Sequence, residues 1–190
     1  MRYLFLILAL FAQPISAKIA EAIFAGGCFW CVEADFDKVP GVLQTISGYD
    51  GGSEPNPTYE LVSSGKTQYV ESLRVIFDSS KVSYQQLLDY YWHHIDPTVK
   101  DAQFCDKGRQ YRSVIFYLDE EQKKAASAAK LALEKQLPII YTDIIPSTHF
   151  YQAEAYHQNY YQKNPLRYKY YRHQCGRDKR IGELWHEKTN

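Results

Sequence analysis

Methionine is almost absent from this chain of 190 residues: Met1 is the only one. An excess of either charge is absent too, with 22 Lys and Arg against 22 Asp and Glu. The basic footprint of a nucleic-acid binder is therefore missing. The apolar run Tyr3 to Ala12 is too short to span a bilayer as a helix. No internal repeat and no low-complexity stretch occurs, which excludes solenoids and fibres. Cysteine is scarce as well. Four are too few for a disulfide scaffold, and only Cys28 and Cys31 lie close enough to form the kind of pair that a structural zinc needs in duplicate. Cys105 and Cys175 stand alone, so no metal is expected. What is present is a globular composition, 45% hydrophobic and 23% charged, with 17 tyrosines.

The N-terminus reads as an export signal. Met1-Arg2 is a short basic segment, Tyr3 to Ala12 is apolar, Gln13-Pro14 breaks the run, and Ala17 is the small residue at the end. Removal of residues 1–17 leaves 190 − 17 = 173 residues, expected to form one domain over residues 18–190 with a charge of 21 − 22 = −1. The expected destination is a periplasm or the cell exterior, where disulfides persist. Processing also removes Met1, leaving a chain with no methionine of its own to oxidise.

Along the remainder, strands and helices interleave. Ala22 to Ala25 reads as a strand ending at Gly26-Gly27, and Cys28 to Val39 as a helix stopped by Pro40-Gly41. Val42–Ser47, Leu73–Phe77, Ser113–Leu118 and Thr142–Ile145 are strand candidates. Ser83 with Gln86 forms a capping box ahead of Leu87, Leu88, Tyr91, Trp92 and Ile95 at helical spacing. Asp119 caps an Ala-rich helix that runs to about Gln136. Ala153 to Lys163 reads as helical, and the polar, aromatic stretch from Asn164 has no clear period. Lys163 to Arg180 carries seven Lys or Arg against one Asp, which reads as a solvated surface run. The pattern predicts an α+β sandwich.

The chemistry gathers at Gly26-Gly27-Cys28-Phe29-Trp30-Cys31. A cysteine at the start of a helix meets free amides and the positive end of the dipole, so Cys28 is expected as a stabilised thiolate, the nucleophilic form. The alternative is a buried, inert cysteine. Cys31 shares its helix face, so a Cys28/Cys31 dithiol–disulfide oxidoreductase is a second reading, although thioredoxin-like motifs place a Trp where this chain has Gly27.

Gly26 to Trp30 also resembles the GCFW signature of peptide methionine sulfoxide reductase A, the enzyme of the S epimer. The resemblance continues in order through Pro40-Gly41-Val42, Ser47 to Gly52, Pro57-Thr58-Tyr59, Val70-Glu71-Ser72, Asp106 to Ser113, Ala153 to Tyr160 and Asn164-Pro165. It implies a ferredoxin-like two-layer α/β sandwich with a long irregular C-terminal segment. It also implies thiol-dependent reduction of methionine (S)-sulfoxide, free or in proteins, as a repair activity. Cys28 would be the nucleophile and Glu71 the acid, a carboxyl kept neutral by its surroundings. Tyr49 and Tyr111 would hydrogen-bond the sulfoxide oxygen. Phe29, Trp30 and Asp106 would bind substrate. The resulting sulfenic acid would be resolved by Cys175 in a mobile tail, with Cys31 as a possible second resolving thiol. Cys105 is expected as a buried thiol beside the site. The reductant would be a thioredoxin-like dithiol protein. No cofactor, no nucleic acid and no stable membrane association after signal removal are expected, and the protein is expected to be a monomer. Tyr69 stands where the family has His, which leaves substrate preference open. A non-catalytic module that merely binds oxidised methionine is the remaining alternative.

Overall fold

A computed structural model describes residues 18–185; the expected export signal at residues 1–17 lies outside the described residues. The elements are β1 (Ile19–Gly26), α1 (Phe29–Phe36), β2 (Val42–Asp50), α2 (Tyr59–Ser63), β3 (Val70–Asp78), α3 (Tyr84–His93), β4 (Ala102–Gln103) and β5 (Asp106–Lys107). A 3-10 turn (Arg109–Tyr111), β6 (Ser113–Tyr117), α4 (Glu120–Leu133), β7 (Asp143–Pro146), β8 (Tyr151–Gln152), α5 (Tyr160–Lys163), α6 (Pro165–Gln174) and α7 (Arg177–Trp185) complete the chain.

The expected ferredoxin-like core is there. β1, α1, β2, β3, α3 and β6 form a βαββαβ unit whose strands run β6-β1-β3-β2, all antiparallel. β7 extends one edge in parallel with β6, and β8 extends the other antiparallel to β2. Strand alternation sorts the core: Ala22 and Phe24 of β1 join Leu73, Val75 and Phe77 of β3 on one face, under Val32 and Phe36 of α1 and Leu87, Leu88 and Tyr91 of α3. Ile23 and Ala25 point the other way, to Val70, Val114 and Phe116. The helices start where their caps dictate. Ser83 and Gln86 close the capping box of α3, and Asp119 accepts from the Gln122 amide at 2.7 Å to open α4.

The C-terminal part differs from expectation in two ways. Residues 153–159 are not helical, because their polar side chains turn inward. The Gln158 amide group accepts from Ser47 N and donates to Ser47 O, both at 2.9 Å, standing in for a strand partner on β2. The polar stretch beyond is helical, as α5, α6 and α7, and not a long irregular tail. Its cations are not all solvated. Arg177 is 2% exposed and donates to Gly26 O at 3.0 Å and His94 O at 2.8 Å. Arg172 reaches Asp35 on α1 at 2.9 Å. These bonds to main-chain and carboxylate acceptors tie the tail to the core.

Candidate active site

Gly27 and α1 set the position of Cys28. Gly27 has φ +88°, and a Cβ there would lie 2.6 Å from Gln103 Cβ, so both conformation and space demand glycine. The chain then turns into α1 with Cys28 at its N-cap. Glu71 sits on the α1-facing side of β3, two residues before Leu73, with Tyr49 opposite it on β2. Its carboxylate oxygen accepts from Phe29 N at 3.1 Å. Cys28, Phe29, Trp30, Glu71, Asp106 and Tyr111 line one cavity of about 90 Å³, together with Tyr59 and Tyr171. The expected nucleophile, acid and apolar wall are therefore brought together.

The wall is rigid. Trp30 stacks on Tyr160 with ring centres 3.8 Å apart and donates from Nε1 to His157 Nδ1 at 3.0 Å. His157 is buried, and burial lowers its pKa to about 4, so the ring is neutral. Because Nδ1 accepts, the proton is on Nε2, 3.9 Å from Glu154. Phe29 packs between Tyr49, Tyr59 and His157.

Burial governs the electrostatics. It pushes Glu71, 2% exposed, up to about 8, despite the opposing hydrogen bond from Phe29. Glu71 is thus a neutral carboxylic acid at pH 7. Asp106 is raised by burial as well, while Tyr171 donates to it at 2.7 Å. The same burial, with Cys31, Glu71 and Asp106 nearby, raises the Cys28 thiol well above its usual range. That departs from the stabilised thiolate expected at a helix start: desolvation outweighs a dipole of one short helix. Cys31 is lowered instead, by its hydrogen bond with Cys28, with Arg177 and Arg172 assisting.

Tyr49 is not where the sequence suggested. It is fully buried, and its hydroxyl donates to Glu154 at 2.8 Å rather than facing the cavity. The other oxygen of Glu154 accepts from Tyr59 N at 2.8 Å, so Tyr49 and Glu154 fix the backbone that presents Tyr59. Tyr59 and Tyr111 line the cavity with Tyr171, whose hydroxyl is taken up by Asp106. Burial pushes Tyr59 up to about 12 and raises Tyr111 further, so both remain phenolic donors. Tyr59, Tyr171, His157 and Arg177 were not singled out from sequence. Tyr59 had a usable signal, because it follows Pro57-Thr58 in a helix-starting context. Tyr69, the departure from the family pattern, is buried, with its hydroxyl donating to Glu54 O at 2.5 Å, so it anchors a loop and does not line the cavity.

Cys175 caps the C-terminus of α6 and is disulfide-bonded to Cys105. Cys105 is thus not a buried thiol: it is exposed at the turn between β4 and β5, whose short hairpin leaves the turn residues in solvent. Cys28 and Cys31 are free and buried. Among the described residues no helix is long and apolar enough to cross a membrane.

Comparison with known proteins agrees with this geometry. Residues 20–189 match the family described as peptide methionine sulfoxide reductase. The chain is 47% identical over 180 residues to peptide methionine sulfoxide reductase MsrA 2 of Rhizobium meliloti, covering 92% of this chain and 89% of that one. It is also 47% identical over 174 residues to the MsrA/MsrB protein of Vibrio cholerae, covering 90% of this chain but 46% of that longer one. Among solved structures, Mxr1 from Saccharomyces cerevisiae in reduced form superposes with a TM-score of 0.74 at 31% identity, covering 83% of this chain and 93% of that one.

Proposed function

The chain belongs to the peptide methionine sulfoxide reductase family, and from that premise we propose that it reduces methionine (S)-sulfoxide, free or in proteins, through Cys28 and Glu71. The observation that carries this reading is a carboxyl with a pKa near 8 in the same small aromatic-walled cavity as a buried cysteine. A carboxylic acid that keeps its proton at neutral pH has a donor's role. The cavity suits a methyl sulfoxide: the rings of Phe29 and Trp30 take the methyl group and exclude water, and Tyr59 and Tyr111 offer hydroxyl donors to the oxygen.

The reaction follows from these positions. The Cys28 sulfur attacks the sulfoxide sulfur while Glu71 protonates its oxygen. The carboxylate so formed takes the thiol proton, which offsets the cost of deprotonating a desolvated cysteine. The hydroxyl then passes to the Cys28 sulfur, methionine leaves, and Cys28 is a sulfenic acid. Condensation with a second thiol, Cys175 first and Cys31 as the alternative, forms a disulfide and water. An external thioredoxin-like dithiol protein reduces it and becomes a disulfide itself. The basic start, apolar run and small Ala17 of residues 1–17 support an exported location for this repair activity, and fractionation of cells expressing the full chain tests that by where the protein is recovered.

Turnover of an (S)-sulfoxide peptide with dithiothreitol tests the assignment. Methionine is expected from the wild-type chain and none from Cys28→Ser. Residual turnover in Cys28→Ser refutes the nucleophile. The thiol contact between Cys28 and Cys31 favours the dithiol oxidoreductase as a second reading. Glu71→Gln separates the two, because disulfide exchange has no use for that carboxyl.

A further inference from the structure

Cys105 and Cys175 are isolated in the sequence, 70 residues apart, yet the fold brings their Cα atoms to 4.9 Å. A third donor stands over the pair. The Asp106 carboxyl is 3.9 Å from the Cys105 sulfur through one oxygen and 3.9 Å from the Cys175 sulfur through the other. The two sulfurs and one carboxylate oxygen lie within 4.8 Å of one another. Such a donor set suits a tetrahedral zinc ion. With Zn–S of about 2.3 Å and Zn–O of about 2.1 Å, ligand atoms lie about 3.8 Å apart between sulfurs and about 3.6 Å between sulfur and oxygen. Asp106 is already close to that spacing from each sulfur, so only the sulfurs have to part, which reduction of the bond between them permits.

The surroundings hold these donors in place. Cys105 is exposed in the β4–β5 turn, where its side chain turns outward without disturbing the core and leaves one side of the cluster to water. The hairpin is pinned by Phe104, whose ring lies 4.5 Å from the Arg177 guanidinium. Tyr171 donates to Asp106 at 2.7 Å and orients the carboxyl, as the outer hydrogen bond of a metal-ligating carboxylate does. The neighbouring cation, Arg177, is committed to Gly26 O, His94 O and Asp35.

We propose that the reduced protein binds one zinc ion through the Cys105 and Cys175 thiolates and an Asp106 carboxylate oxygen, with water as the fourth ligand. The disulfide form does not bind it, because its sulfurs are bonded to each other. A dithiol reductant supplies two electrons and two protons, becomes a disulfide and leaves Cys105 and Cys175 as thiols; zinc then displaces the two thiol protons to solvent. Two thiolates select zinc over magnesium and calcium, which take oxygen donors. The site stands apart from the reductase reading, but on that reading it has a consequence. Asp106 lines the cavity with Cys28, and Cys175 is the first resolving thiol, so zinc occupancy and resolution by Cys175 exclude each other.

The rival site is the other thiol pair, Cys28 and Cys31, both free and buried. Protein pre-reduced with a phosphine, which does not compete for zinc, is titrated with zinc against a chromophoric chelator. One zinc per chain is expected for the wild type and for the Cys28→Ser, Cys31→Ser double variant, and none for protein carrying the Cys105–Cys175 disulfide. Cys105→Ser and Asp106→Ala should each weaken binding about 100-fold or more, and Tyr171→Phe about tenfold. Cobalt in place of zinc should show sulfur-to-metal charge transfer in the wild type and a weaker band in Cys105→Ser. Because Cys105 is exposed, Cys105→Ser should melt like the reduced wild type, so its loss of zinc is not a loss of fold. Zinc held equally by the disulfide form, wild-type affinity in Cys105→Ser, or no zinc on the reduced wild type overturns the proposal. So does loss of zinc from the Cys28→Ser, Cys31→Ser variant. Every one of these readings is independent of methionine formation, so failure of the reductase reading and failure of the zinc site are distinguishable.

Discussion

Glu71→Gln should make the protein more stable at alkaline pH while removing its activity. Burial on folding moves the Glu71 pKa from 4.5 to about 8. At roughly 1.4 kcal/mol per unit this is on the order of 5 kcal/mol. The sign follows from proton binding. Below pH 4.5 both folded and unfolded chains hold the proton, and stability does not depend on this group. Between pH 4.5 and 8 the unfolded chain releases it and the folded chain keeps it, so the wild type loses stability as pH rises. Above 8 both are ionised and the loss is complete. Gln keeps an acceptor for the Phe29 amide and has no charge to desolvate. Urea denaturation of wild type and variant from pH 5 to pH 9 should show a stability difference that grows in the variant's favour by several kcal/mol. The kcat/KM of the wild type should fall above about pH 8, and the variant should lose about 10²- to 10⁴-fold without that alkaline limb. Parallel stability curves at all pH values would refute the account of Glu71 as a buried neutral acid.

Tyr59→Phe and Tyr111→Phe should each lower kcat/KM about tenfold or more, since each removes one donor to the developing oxyanion; Tyr49→Phe should instead cost stability of about 1 kcal/mol, read by thermal unfolding, because its hydroxyl is bonded to Glu154. Gly27→Ala should destabilise the fold by about 1–3 kcal/mol, because φ of +88° and a contact 2.6 Å from Gln103 strain any Cβ there. Arg177→Met should lower the melting temperature and slow disulfide formation after the first methionine, since the side chain is fully buried on Gly26 O and His94 O.

The core was legible because its signals are local and mutually consistent. The period-two strands, the Ser83 capping box and the Gly26-Gly27 stop each set their element without reference to the others. The tail was not legible for a physical reason. Of α6, only Tyr168 is buried, while Leu166 is 82% and Tyr170 70% exposed, so no apolar stripe marks the helix. Its attachment comes from Arg172 and Arg177 reaching acceptors distant in sequence, and charge composition does not show which cations turn inward. Within the site, Cys28, Phe29, Trp30 and Glu71 were readable from the motif. Tyr59 is one of seventeen tyrosines, and nothing local in the sequence separates it from Tyr49, which the resemblance implies in its place. The rise in the Cys28 pKa comes first from burial and then from Cys31, with smaller contributions from the carboxyls of β3 and β5, and the burial is made by elements that no local window contains.

The most direct test of the central claim is a count. Pre-reduced protein is incubated with the S or the R epimer of a methionine sulfoxide peptide, without reductant, and methionine formed and thiols lost are both measured. The account predicts methionine from the S epimer alone, with two thiols lost for each methionine. No methionine from either epimer, or thiols lost without methionine, would contradict it.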